Sequence, residues 1–98
     1  MFGITRGKTF SKWLGGLKDR RAAAKVVARL TNFELGNFGD VKPAGDGMSE
    51  SRIDYGPGYR IYFKQYGSVI VVVFAGGTKN GQQKDIKLAK KLAEDYET

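Results

Sequence analysis

The sequence has no cysteine and no histidine, and only two prolines among 98 residues. Without cysteine there is no disulfide, no thiolate nucleophile and no iron–sulfur cluster. Without histidine as well, a zinc site lacks its nitrogen and sulfur ligands, and catalysis lacks its usual neutral-pH acid and base. Any chemistry must come from Lys, Arg, Tyr, Asp, Glu, Ser or Thr. Long apolar runs are also missing. The longest, residues 69–75, is too short to cross a bilayer. No apolar signal-peptide core opens the chain, so a cytoplasmic location without membrane contact is expected. No glycine-rich phosphate loop leads into Lys-Ser or Lys-Thr, and no dinucleotide fingerprint is present. Asp40 and Asp46 lie in Gly-rich turns but lack calcium-loop spacing. No metal and no cofactor are expected.

The length fits one domain, residues 1–98, with a single compact core. The net charge is +7, and its placement matters more than its size. Residues 1–33 hold Arg6, Lys8, Lys12, Lys18, Arg20, Arg21, Lys25 and Arg29 against Asp19 alone, whereas residues 34–98 are neutral overall. A concentrated positive patch attracts RNA, DNA or an acidic protein; its bland counterpart is a solvated face that aids solubility.

Hydrophobic spacing divides the chain. A weak first strand over residues 2–5 precedes a helix with Phe10, Trp13, Leu14 and Leu17 on one face, capped by Thr9 or Ser11. Asp19 is placed to cap a second helix with Ala23, Val26, Val27, Leu30 and Phe33 inward and Arg20, Arg21, Lys25 and Arg29 outward. Gly36 ends it. This predicts a basic helical hairpin over about residues 8–35. Gly, Pro and Asp then punctuate short strands over about residues 38–76. Residues 49–55 and 59–64 alternate and join through Gly56-Pro57-Gly58 as a hairpin. The β-branched run from Val69 to Phe74 predicts a doubly covered strand, ended by Gly76-Gly77. Asn80 and Gln83 resemble a capping box for a last helix over about residues 80–96, with Ile86, Ala89, Leu92, Ala93 and Tyr96 inward. The expected class is α+β: an N-terminal helical hairpin packed on an antiparallel sheet of three to five strands, with a C-terminal helix.

The residues with chemical potential are cations on the sheet. Arg52 and Arg60 have equivalent parity on the two arms of one hairpin and should leave the core side. Tyr62 and Lys64 share that side, Lys79 follows the long strand, and Lys84 opens the last helix. Such a cluster suits phosphate. RNA carries its own nucleophile, the 2′-hydroxyl, so a protein that aligns the strand and stabilises the phosphorane-like transition state can cleave it without metal or histidine. Tyr59 or Tyr62 would stack a base or donate a hydrogen bond. The same residues also have structural readings. Arg52 pairs with Glu50 or Asp54, Lys64 protects a sheet edge, and Tyr59 shares core parity with Ile61 and Phe63.

Several strings are distinctive: Phe10-Ser11-Lys12-Trp13-Leu14, Leu35-Gly36-Asn37-Phe38-Gly39-Asp40, Ser49-Glu50 followed by Arg52-Ile53, Tyr55-Gly56-Pro57-Gly58-Tyr59-Arg60, and Gln83-Lys84-Asp85-Ile86. On these the chain, from about residue 10 onward, resembles the addiction-module killer proteins, a HigB-like branch of the RelE/ParE toxin superfamily. The resemblance implies a RelE/ParE-like fold and a type II toxin held inactive by a cognate antitoxin, often a helix-turn-helix protein. Operator DNA would be met only through that complex. RelE-like members are ribosome-dependent mRNA endonucleases. The match carries catalytic roles to Arg52, Arg60, Lys79 and Lys84, with Tyr59 beside them, and leaves Tyr62, Lys64, Arg20, Arg21, Lys25 and Arg29 as RNA-binding candidates. RelE has a tyrosine on its C-terminal segment where this chain has Asp85 or a neighbour. The ParE-like alternative is a gyrase inhibitor without nuclease activity. As a surface arginine, Arg60 is expected to be replaceable by alanine with little loss of stability.

Overall fold

A computed structural model describes residues 1–98. In chain order the elements are β1 (Gly3–Arg6), α1 (Lys8–Gly15), α2 (Arg20–Glu34), β2 (Asp40–Gly45), β3 (Met48–Ile53), β4 (Tyr59–Tyr66), β5 (Ile70–Thr78), a 3₁₀ turn (Lys79–Gly81) and α3 (Gln82–Glu97). The strands form one sheet in the order β1-β5-β4-β3-β2. β2 through β5 run antiparallel to their neighbours, and β1 lies parallel to β5 at one edge. The domain is α+β, as its patterning predicts, but its sheet is not purely antiparallel.

α1 and α2 cover one face. Phe10, Ala22, Val26, Leu30 and Phe33 meet Ile53, Tyr59, Ile61, Phe63, Val71 and Val73 there. The Phe33 and Phe63 rings are 4.6 Å apart. Ala22, rather than Ala23, supplies the buried small residue of α2, and Val27 is exposed. Asp19 caps α2 as expected, its Oδ1 accepting from the N–H groups of Arg21 and Ala22.

α3 covers the other face. Ala89 and Ala93 lie on Met48, Tyr62, Val72, Phe74 and Ala75. Alternation along β3 and β4 therefore separates two cores rather than a core from solvent. A bulge explains why Phe74 and Ala75 both face α3: Tyr62 pairs with Ala75 and Phe63 with Val73, so Phe74 is extra.

Three terminal signals work differently from their sequence reading. α1 begins at Lys8 with Gly7 as its cap, and neither Thr9 nor Ser11 caps it. The Gly7 N–H donates to the Val73 carbonyl, so the helix starts directly off the β1–β5 ladder. α3 begins after Gly81 with no side-chain cap, so Asn80 and Gln83 form no capping box; the 3₁₀ turn enters the helix instead. β5 continues through Gly76 and Gly77 to Thr78. Those glycines make room on both faces. A Cβ on Gly76 would lie 2.3 Å from the Trp13 ring, and one on Gly77 would collide with the Asp85 carboxylate. The turn-rich stretch from Gly39 to Gly45 also holds the unforeseen edge strand β2, which tolerates Pro43 because of its edge position.

Gly76→Ala is expected to cost about 1–3 kcal/mol by overpacking against Trp13. Urea unfolding followed by the fluorescence of this single tryptophan measures it; an unchanged midpoint would show that the ring yields freely.

Candidate functional site

Register builds the site as a row across the sheet. Asp40 on β2 pairs with Arg52 on β3, Arg52 with Arg60 on β4, and Arg60 with Gly77 on β5. All four positions face the α3 side. The next row on that face brings Glu50 opposite Tyr62. Like charges directly opposite each other repel, so adjacent arginines need anions. Arg52 Nε stands 3.3 Å from Asp40 Oδ2, and Arg60 Nε stands 3.6 Å from Glu50 Oε1. The second pair is buried: Arg60 is 8% and Glu50 3% exposed. Glu50 also accepts a 2.8 Å hydrogen bond from Gln82 Nε2 in the first turn of α3.

These residues border a cleft of about 390 Å³ lined by Asp40, Arg52, Asp54, Gly58, Arg60 and Lys79, together with Ile53, Gly56 and Pro57. Lys79 reaches it because its N–H donates to the Gly58 carbonyl at 2.9 Å, tying the end of β5 to the β3–β4 loop. Gly58 has φ +82°, a left-handed backbone that strains any other residue, and lies beside Lys79 and Arg60 Nη1. The cleft is thus cationic at Arg52, Arg60 and Lys79, with Asp40 and Asp54 as lining carboxylates. The protein's buried side-chain polar atoms without a hydrogen-bond partner are Arg52 Nε, Arg60 Nε and Tyr62 Oη, all on this one face. Arg52 Nε and Arg60 Nε each face a carboxylate without a well-aligned hydrogen bond, and only Tyr62 Oη lacks any polar partner. No group of three or more Asp and Glu side chains is arranged to hold a metal ion.

The other candidates fall elsewhere. Lys84 is exposed on α3 and does not line the cleft. Tyr59 is 6% exposed and packs in the α1–α2 core near Trp13, so it offers no face to a base. Tyr62 is fully buried under α3. Burial pushes its phenol well above the ordinary range, and the Glu50 and Asp85 carboxylates add to the effect. Lys64 lies four residues along β4 from Arg60, about 13 Å away, and forms a 2.7 Å ion pair with Glu97 at the other end of α3. Arg29 is not a free surface cation. Its Nη1 donates to Ser51 Oγ and to the Arg52 carbonyl, both at 2.8 Å, pinning α2 to β3. Arg20, Arg21 and Lys25 remain exposed, with Lys25 Nζ 5.2 Å from the centre of the Tyr55 ring.

Asp40, Glu50 and Gln82 are the site residues that sequence reasoning passed over. Glu50 had a signal in its parity with Arg52, but its partner is Arg60, and the partner of Arg52 is Asp40. Asp85 fills the space left by the missing side chain of Gly77. Burial raises its carboxyl above the ordinary value, opposed by the Lys84 charge.

Among proteins of known sequence, one from Haemophilus influenzae (strain ATCC 51907 / DSM 11121 / KW20 / Rd) is 51% identical over 87 residues, covering 89% of this chain and 88% of that protein. The chain belongs to the family of that protein. The relative is described as uncharacterized, so kinship carries no activity with it. No family model matches the chain. No helix is long and apolar enough to cross a membrane.

Burial reverses the expectation for Arg60. Arg60→Ala leaves Glu50 buried without its cation and is expected to cost about 3–5 kcal/mol. Arg52→Ala removes a partly exposed pair and should cost no more than about 1 kcal/mol. Urea unfolding of the two variants side by side tests the contrast. Asp85→Asn should raise the unfolding midpoint at neutral pH. A raised folded pKa favours the protonated carboxyl, a contribution complete below the ordinary value of 3.8 and lost as pH rises through the folded value. The advantage of asparagine should therefore shrink on acidification, which thermal melts from neutral to acid pH would show.

Proposed function

We propose that this chain is a toxin of the RelE/ParE type, acting as a ribosome-dependent mRNA endonuclease and neutralised by a cognate antitoxin. The observation that carries the reading is the cleft, where Arg52, Arg60 and Lys79 converge. In the reaction, the substrate 2′-oxygen bonds to phosphorus and the bond to the 5′-oxygen breaks. The products are a 2′,3′-cyclic phosphate and a 5′-hydroxyl. The 2′-proton passes to water, and the leaving oxygen takes a proton back. The protein supplies alignment and positive charge. Guanidinium groups suit this role because they stay charged and present several donors to phosphate oxygens. Lys79 adds an exposed ammonium at the rim. With Tyr59 and Tyr62 buried, base stacking on them has no part in this mechanism. The exposed Arg20, Arg21 and Lys25 on α2 supply a salt-sensitive attraction to ribosomal RNA.

Mapping 5′ ends on a defined message in a reconstituted translation reaction tests the proposal. Cuts that appear only on translated message, in register with codons, are the expected result, and Arg52→Ala should reduce them by at least tenfold while the protein stays folded. An intact message together with blocked supercoiling would assign the chain to gyrase inhibition instead.

A further inference from the structure

Arg60 reaches the cleft from an almost fully buried position, and its guanidinium must be aimed by what surrounds it. One carboxylate does this. Glu50 Oε1 faces Arg60 Nε at 3.6 Å, while Glu50 Oε2 accepts from Gln82 Nε2 at 2.8 Å. The two oxygens of a single buried carboxylate are thus divided between β4 and the first residue of α3. On the other side of Arg60, Nη1 lies near Gly58, whose carbonyl holds the Lys79 N–H. Lys79 opens the 3₁₀ turn that runs into Gln82. The segment entering α3 therefore delivers one cation to the cleft directly and reaches a second through Glu50.

The packing of α3 makes this connection consequential. Its fully buried residues are two alanines, Ala89 and Ala93, with Ile86 and Leu92 packed beside them on the same core. At its N-terminal end no side chain caps the helix. Ahead of Ile86, which packs on the core, the first turn is seated by the Gln82–Glu50 hydrogen bond and by Asp85 lodged against Gly77. A shift of the first turn would move Glu50, and Arg60 would follow its only carboxylate partner.

We propose that Gln82 and Glu50 are positioning residues that couple the seating of the α3 N-terminus to the Arg60 guanidinium, and so to the affinity of the cleft for phosphate. The proposal rests on reading the cleft as a phosphate site. It predicts that any change at the start of α3 is felt as altered anion binding some distance away, without any contact between Gln82 and the ligand.

The test uses the full chain with inorganic pyrophosphate as the probe, followed through the arginine Nε–Hε resonances in ¹⁵N spectra. In the wild type, pyrophosphate should bind saturably and shift the Arg52 and Arg60 signals. Gln82→Met keeps the side-chain volume and removes the donor. It should displace the Arg60 resonance in the free protein and weaken pyrophosphate binding by about three- to tenfold, the size of an indirect coupling. The unfolding midpoint should fall modestly, as loss of one donor to a buried carboxylate requires, so affinities are compared where circular dichroism shows both proteins folded; the moved Arg60 resonance separates positioning from general destabilisation. Glu50→Gln should weaken binding further, and it is informative only where circular dichroism shows it folded; Gln82→Met carries the test alone. A wild type that binds no pyrophosphate removes the phosphate reading and this proposal with it. A wild type that binds, beside a Gln82→Met variant with unchanged affinity and an unmoved Arg60 resonance, overturns the coupling alone.

Discussion

Period-two alternation along β4 sends Tyr59, Ile61 and Phe63 into one core and Arg60, Tyr62 and Lys64 to the opposite face. Because α3 covers that second face, the sheet has no side given over to solvent. Everything else follows from this constraint. On the α3 face the polar residues of β3 and β4 do not simply point into water: they are paired, buried or placed where the helix stops. Met48, Tyr62 and Val72 lie under α3. Lys64 finds Glu97 at one end. Arg52 and Arg60 meet the cleft at the other.

The site is held by opposition among charges. Two arginines paired across β3 and β4 repel, and two carboxylates, Asp40 on β2 and Glu50 on β3, offset them. The exposed pair is weakly held and adjustable. The buried pair is rigid, since neither member can be neutralised without leaving the other stranded in a low-dielectric interior. Both arginines direct their Nε toward a carboxylate without completing a hydrogen bond.

Glycines set how closely the layers approach. Gly76 admits the Trp13 ring from the α1 side, and Gly77 admits the Asp85 carboxylate from the α3 side. Gly58 supplies the left-handed backbone that turns the β3–β4 loop beside Lys79. Arg29 shows the same economy of placement. On sequence it belongs with Arg20, Arg21 and Lys25 as a surface cation, yet its stem is long enough to reach Ser51 and the Arg52 carbonyl, and it becomes a strut between α2 and the strand that carries Arg52.

Local chemistry determined much of this protein directly from its sequence. The Asp19 cap, the spacing of Val26, Leu30 and Phe33, the Gly56-Pro57-Gly58 loop and the parity of Arg52 with Arg60 depend on neighbours within a few residues, and all were legible. The concentration of positive charge in the first third was equally plain. The β-branched run of β5 marked that strand as covered on both sides, as it is; only the tertiary structure decided that α3 also lies over Arg60 and Tyr62 of β4. Ala89 and Ala93 look alike on a helix that lies on solvent-backed sheet or on a second core, so the burial of Tyr62 and Arg60 could not be read from period two. β1 pairs with a strand more than sixty residues away, and the partners of the arginines come from separate strands. Ion pairing and helix coverage are set by long-range register and by the direction in which α3 returns across the sheet, and a linear pattern does not encode that direction.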